Sequence, residues 1–305
     1  MNRPGLLRTL SIVSAFAAGA VLPQASALAW AIRWLIMAML FITFLQIRFS
    51  RRSLTVSHVW LLLANFGVGL GALGVGRALG GRDLALAAFF AGIAPTATAA
   101  PVITGFLRGK VAYVVIAFLL TNIVVAAALP LILPPVLGVH TTGLYWQVAR
   151  SVGVVVFAPM AAAWLTRKVH HQATRWPGKL RDVSFAMWVL ALFLIIASAA
   201  DFFRQETATE PLLLVKIGVV SGLVCALNFL LGAWLGGGEF RREASQSLGQ
   251  KNTTFTIYLA MVYANPLIAL GPTFYVLWHN LWNSWQLYRA GRHEKEHAPR
   301  RQDAS

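Results

Sequence analysis

Cysteine is almost absent from this chain: Cys225 stands alone, inside an apolar stretch, which excludes a disulfide framework and a cysteine metal centre. Acidic residues are scarce as well. There are ten in 305, and none falls in the middle of an apolar run. A carboxylate pair for acid–base chemistry, or a carboxylate cage for a metal, therefore has nowhere to form at membrane depth. No HExxH motif and no paired nucleophile and base stand near the polar interruptions described below. We accordingly expect no enzyme, no cofactor and no resident metal.

What is present is apolar. Hydrophobic residues make up 58% of the chain and charged ones 12%. A soluble domain would interleave charge on the outward faces of its helices, whereas here runs of about 18 or more residues pass without one, enough to cross a ~30 Å hydrocarbon core. The runs predict spans near 6–22, 28–47, 56–75, 84–107, 111–134, 144–166, 183–203, 212–235, 243–264 and 266–288. The first, behind Arg3 and Arg8, also resembles a signal peptide; we read it as an uncleaved first span.

The net charge of +16 is explained by where the basic residues lie. One set of loops carries Arg48, Arg51 and Arg52, then Arg108 and Lys110, Arg167 to Arg181, Arg241 and Arg242, and Arg289 to Arg301. The alternate loops are short and nearly uncharged, or acidic as in Asp201 to Glu210. By the positive-inside rule the first set is cytoplasmic. This implies a multi-pass protein of the cell inner membrane with both termini inside, and it removes the reason to invoke nucleic acid.

Ten spans divide into two sets of five that enter the membrane in opposite directions, as in inverted-repeat transporters. We expect an all-α polytopic membrane protein: a first five-helix repeat over 1–138, a second over 139–289, and a charged, disordered cytoplasmic tail over 290–305. The fourth span of each half is interrupted. In the first half Pro95 and Pro101 flank Thr96 and Thr98, and two prolines so placed cannot both sit inside an unbroken helix. In the second half Ser245, Gln246, Ser247, Gly249, Gln250, Lys251, Asn252, Thr253 and Thr254 run into an apolar half-helix. Such polarity within a span belongs at an interior site. Two unwound spans also supply half-helix N-termini, whose free amides suit a carboxylate or sulfonate.

At AGIAPTATAAPVITGFLRGKVAY, SLGQKNTTFTIYLA and PLIALGPTFYVLWHNLWNSWQL the chain resembles the bile acid:sodium symporter family, which includes bacterial organic-anion transporters. The three segments cover roughly a quarter of the chain. The resemblance implies ten spans with discontinuous, crossing helices 4 and 9, and a small organic anion as the partner besides the lipid bilayer. It implies a substrate region at Thr96, Thr98, Asn252, Thr253, His279 and Asn280, with Asn65 at the family's third-span glutamine. The family's sodium ligands are not kept. Its ninth-span glutamate falls on Ser247 and its glutamine on Lys251, beside Gln250; its fourth-span Ser-Asn pair falls on Ala100 and Pro101. Without a gap, its fifth-span hydroxyls fall on Val114 and Phe118.

Lys251 is therefore expected to stand where a sodium ion would, as a built-in cation. It either loads and releases a proton or is neutralised by the anion itself. Sodium-independent transport follows on that view. A conventional sodium symporter and a ligand sensor that moves nothing are the alternatives, and snorkelling to the cytoplasmic face is the bland account of Lys251. Among the remaining signals, Gly69, Gly71 and Gly74 have GxGxxG spacing but follow no strand, so we expect helix packing, with Gly67 and Gly71 suited to it. Trp30, Trp34, Trp146, Trp278, Trp282 and Trp285 read as interfacial anchors.

Overall fold

The computed structural model describes residues 11, 14–46, 54–97, 99–139, 141–205 and 211–297. Thr98, expected in the substrate region, lies outside the described residues, as does most of the N-terminal basic stretch. The described residues form helices and no strand. A helix over residues 14–21 (α1) leads through a 3-10 turn at Pro23–Leu28 to α2 (Ala31–Gln46) and α3 (Val56–Ile93). Then come α4 (Ala99–Phe106), α5 (Val111–Val136), α6 (Thr142–Val152), a π turn at Gly153–Phe157 and α7 (Ala158–Val169). A 3-10 turn at His171–Arg175 and α8 (Trp176–Lys179) lead to α9 (Arg181–Gln205) and α10 (Pro211–Leu235). α11 (Arg241–Gly249), α12 (Thr253–Tyr263) and α13 (Pro266–His297) complete the order.

Five helical stretches among the described residues are long and apolar enough to cross a membrane: Val56–Ile93, Val111–Val136, Thr142–Val169, Asp182–Phe202 and Pro211–Leu235. Large apolar side chains cover their outer faces, Leu63, Leu70, Leu223 and Trp234 among them. Such a surface is stable against lipid and not against water. This is an all-α membrane protein. α3 turns sharply at Gly80 and Gly81. Gly81 adopts φ +77°, a left-handed conformation that only glycine accepts without strain, so the chain reverses there and re-enters the bundle.

The helices sort into two groups. α2 packs on α7 and α9, with α1 against α9 at Gly19 and α6 running through the π turn into α7, and α3, α10, α11 and α13 form the other group with α4, α5 and α12; α6 against α5 and α9 against α13 join the two. The second group packs through glycine. Gly69 lies against Ile93, Gly76 against Ala85, Gly92 against Gly69, and Gly271 against the Ala87 carbonyl. The glycines expected to do this, Gly67 and Gly71, face open space. The buried face of α3 is Leu61, Asn65, Val68, Gly69, Ala72 and Gly76, a three–four spacing that puts Gly67, Gly71 and Gly74 on the outer side.

Two further expectations are corrected. Trp282 is no interfacial anchor; its ring stacks on Phe229 at 5.1 Å, because it sits on the α13 face that meets α10. The tail is helical through His297. No proline interrupts α13 between Pro272 and Pro299, and the residues between include strong helix formers.

Because a β-carbon at Gly271 collides with rigid backbone, Gly271→Val should lower stability in detergent by at least about 2 kcal/mol. Gly67→Ala, which meets nothing, should change it by less than about 1 kcal/mol, in the stabilising direction. Paired thermal melts of the purified variants test both. Equal melting temperatures would contradict the packing described.

Candidate functional site

Two helices stop in mid-bundle, and their ends meet. α3 leaves helical geometry at Ala94, where ψ turns to 138°, because Pro95 disfavours a helical residue before it. The break ends sooner than the two prolines suggest. α4 restarts at Ala99, and Pro101 lies within its first turn, where an absent amide costs nothing. The second break is Gln250 to Asn252, between α11 and α12. Ser245, Gln246 and Ser247 are thus helical rather than unwound.

The breaks pair as a two-residue antiparallel bridge, Thr96 opposite Lys251. The Ala97 amide donates to the Gln250 carbonyl at 2.7 Å, and the Asn252 amide to the Pro95 carbonyl at 2.7 Å. Thr96 satisfies the rest of its own unwound backbone through α5. Its amide donates to Thr121 Oγ1 (3.1 Å), and its carbonyl accepts from Asn122 Nδ2 (2.9 Å). The Thr96 hydroxyl donates to the Ser247 carbonyl at 2.6 Å. Thr121 and Asn122 carry no mark in the sequence beyond being polar in an apolar helix. The ungapped register pointed instead to Val114 and Phe118, which are buried among apolar neighbours.

Lys251 does not snorkel. Its side chain is 1% exposed, and Nζ donates to Asn65 Oδ1. Asn65 Nδ2 in turn donates to the Ile93 carbonyl at 3.0 Å, one of the orphan acceptors at the C-terminal end of α3. That end carries partial negative charge, so Asn65 relays a helix dipole to the ammonium. Around Lys251, α10 brings Cys225, which lies beside both Lys251 and Tyr275. The Tyr275 hydroxyl donates to the Gly249 carbonyl at 2.8 Å, closing the end of α11.

Of the expected site residues, Thr96, Asn65, Ser247, Gln250, Lys251, Asn252 and Thr253 come together at the crossing. His279 lies one turn of α13 beyond Tyr275, rings 5.8 Å apart, and its buried Nδ1 has no hydrogen-bond partner. Asn280 does not join them; its amide returns to the Val276 carbonyl of its own helix at 2.7 Å. Gln250 Nε2 is buried and unpartnered. No group of three or more His, Cys, Asp or Glu side chains stands together among the described residues. No family model matches this chain, and no curated protein does.

If Asn65 holds Lys251, Asn65→Leu should cost about 3 kcal/mol, since it strands a buried charge-bearing group. Adding Lys251→Met should restore most of that loss, because the polar group to be satisfied is then gone. Thermal melts of the two single variants and the double variant measure the coupling; additive losses would show that the pair does not interact.

Proposed function

We propose that the chain is a secondary active transporter that carries a small organic anion across the inner membrane by alternating access. In this reading it is built from two inverted five-helix repeats, 1–138 and 139–289, with a cytoplasmic tail over 290–305 and both termini inside. The ten spans are α1, α2, the two arms of α3 with α4, α5, α6 with α7, α9, α10, α11 with α12, and α13. Helices 4 and 9 are then the broken ones, fourth in each half. Transport is sodium-independent, with Lys251 in place of a coupling ion.

The observation that carries this reading is Lys251 buried at a crossing of two broken helices, with a neutral amide for a partner. Broken helices are tolerated at membrane depth only where they are buried in protein or line a cavity, and transporters place their substrate and coupling sites there. An ammonium held by an amide keeps most of its attraction for an anion, whereas one paired to a carboxylate has spent it. Thr96 and Ser247 support the same view from the other side. The Thr96 hydroxyl donates to the Ser247 carbonyl and accepts from Thr121, and the Ser247 hydroxyl donates to the Glu243 carbonyl of its own helix at 2.7 Å, so both are engaged in holding the crossing.

Counterflow in proteoliposomes tests the proposal. We expect labelled taurocholate, pyruvate or pantothenate to exchange across the membrane at equal rates in sodium chloride and choline chloride, and Lys251→Met to lose at least tenfold of that rate. A saturable rise in melting temperature with sodium, absent with choline, would instead indicate an ordinary sodium symporter. An anion that raises the melting temperature but never crosses would indicate a sensor.

A further inference from the structure

Between the crossing and the Arg289 end of α13 lies a buried set of polar groups that nothing so far explains. Tyr275, His279, Asn283 and Gln286 recur at spacings of four, four and three, which places them on one face of the helix. That face meets α10 and α11. Asn228 Nδ2 donates to the Tyr275 hydroxyl at 3.2 Å, and Gln246 Nε2 reaches Asn283 Oδ1 at 3.5 Å and Gln286 Oε1 at 2.5 Å. Trp282 flanks the set from its place against Phe229.

Four atoms here are buried without a partner: Asn228 Oδ1, Gln246 Oε1, His279 Nδ1 and Trp282 Nε1. A single orphan is ordinary, but four on three touching helices are too many to leave dry, since each costs about 1–3 kcal/mol unsatisfied. They include acceptors and a donor, which is what bound water requires. Among the described residues, the opposite side of the crossing carries no such cluster along α12, where the one orphaned atom close by is Arg33 Nε near Tyr263. The buried residues of α12 beyond Thr253 are Phe255, Thr256, Ile257, Tyr258, Leu259 and Ala260; Thr256 is satisfied by the Thr253 carbonyl and Tyr258 by Ser151.

We infer that a file of water along this face of α13 joins Lys251, through Cys225 and Tyr275, to the Arg289 end of the helix, and is the route by which the lysine exchanges its proton. The inference rests on the built-in-cation reading for its purpose, though not for the file itself. A hydronium proton enters at the Arg289 end, each water of the file accepts one proton and gives up another so that one O–H bond forms as the next breaks, and the last proton bonds to the Nζ lone pair of the neutral amine. Deprotonation of the ammonium runs the same steps in reverse and returns hydronium to the Arg289 end. Few charges compete. α3 presents Asn65 to the lysine, α10 Cys225, and α13 Tyr275 and His279. The buried Glu243 of α11 accepts from the Lys110 amide at 2.6 Å, and Asp201 of α9 accepts from Ser26.

Cys225 is the chain's lone thiol and sits at the inner end of the file, so it reports on water access. In vesicles of known sidedness, Ag⁺ in nitrate buffer should block later alkylation of Cys225 when added on the Arg289 side and not from the other. Asn283→Leu and Gln246→Leu should each slow the block at least tenfold, while Thr256→Val, on the opposite side of the crossing, leaves it unchanged. Equal access from both sides, access from the opposite side alone, or none would overturn the file, and the wild-type protein suffices to distinguish these outcomes. With an anion that passes the counterflow test, Asn283→Leu should also slow substrate-driven proton uptake, read by pyranine, by a similar factor; an unchanged rate would overturn the proton route. If Lys251→Met kept its counterflow while Ag⁺ access stayed one-sided, the file would stand and the built-in-cation reading would fall.

Discussion

Backbone that unwinds inside a membrane must find partners for its amides and carbonyls, because lipid supplies none. That constraint organises this protein. Pro95 forces one break, and a run of polar residues marks the other. The two are brought into register so that each satisfies the other, Ala97 with Gln250 and Asn252 with Pro95. The remaining polar groups of Thr96 require α5 to lie close with Thr121 and Asn122 facing in. The glycines at Gly69, Gly76, Gly92 and Gly271 allow α3 and α13 to approach near enough to enclose the crossing. None of these placements is stable without the others, since each leaves a backbone group unpaired at a cost of several kcal/mol.

Lys251 adds a second demand. An ammonium removed from water loses several kcal/mol of solvation, and a hydrogen bond to a charged group returns about 1.5–3. The end of a helix contributes up to about 2 more in a partly buried setting. Asn65 supplies the first and passes on the second from Ile93. A carboxylate partner would have balanced the charge more fully, yet an incoming anion would then have to displace another anion. An amide yields at far smaller cost. On the proposed function, the polarity of the partner, more than the depth of burial, would leave the lysine available to a negative ligand.

Much of this was legible in the sequence, because its causes are local. Proline and polar runs announce broken helices whatever surrounds them, and the breaks stand at Pro95 and at Gln250 to Asn252. The shift of Thr121 and Asn122 for Val114 and Phe118 was not legible, since it depends on how α5 is rotated, and an apolar helix exposed to both lipid and protein carries no amphipathic stripe to report that. The same blindness applies to α3, where Gly67 and Gly69 look alike in sequence and face opposite ways. Trp282 was misread for a related reason: a tryptophan near a span end is an interfacial residue only if it points outward. Local chemistry is encoded residue by residue, whereas helix rotation in lipid is decided by neighbours.

The seam between the two helix groups differs in kind from the crossing. Tyr258 with Ser151 and Tyr263 with the Gln147 carbonyl bridge α12 and α6 across it, and the rest is aliphatic and aromatic packing from α2, α5, α6, α9 and α12. Lipid tails are as apolar as that packing, so little hydrophobic free energy opposes relative movement of the groups. The crossing, by contrast, is held by backbone hydrogen bonds that cannot be exchanged for water. Displacement along the seam therefore costs less than distortion of the crossing. On the proposed transport reading, the crossing and the helices that enclose it would move as a rigid unit past the group that contains α2, α7 and α9, and the polar groups lining one side of Lys251 would change their surroundings without changing their partners.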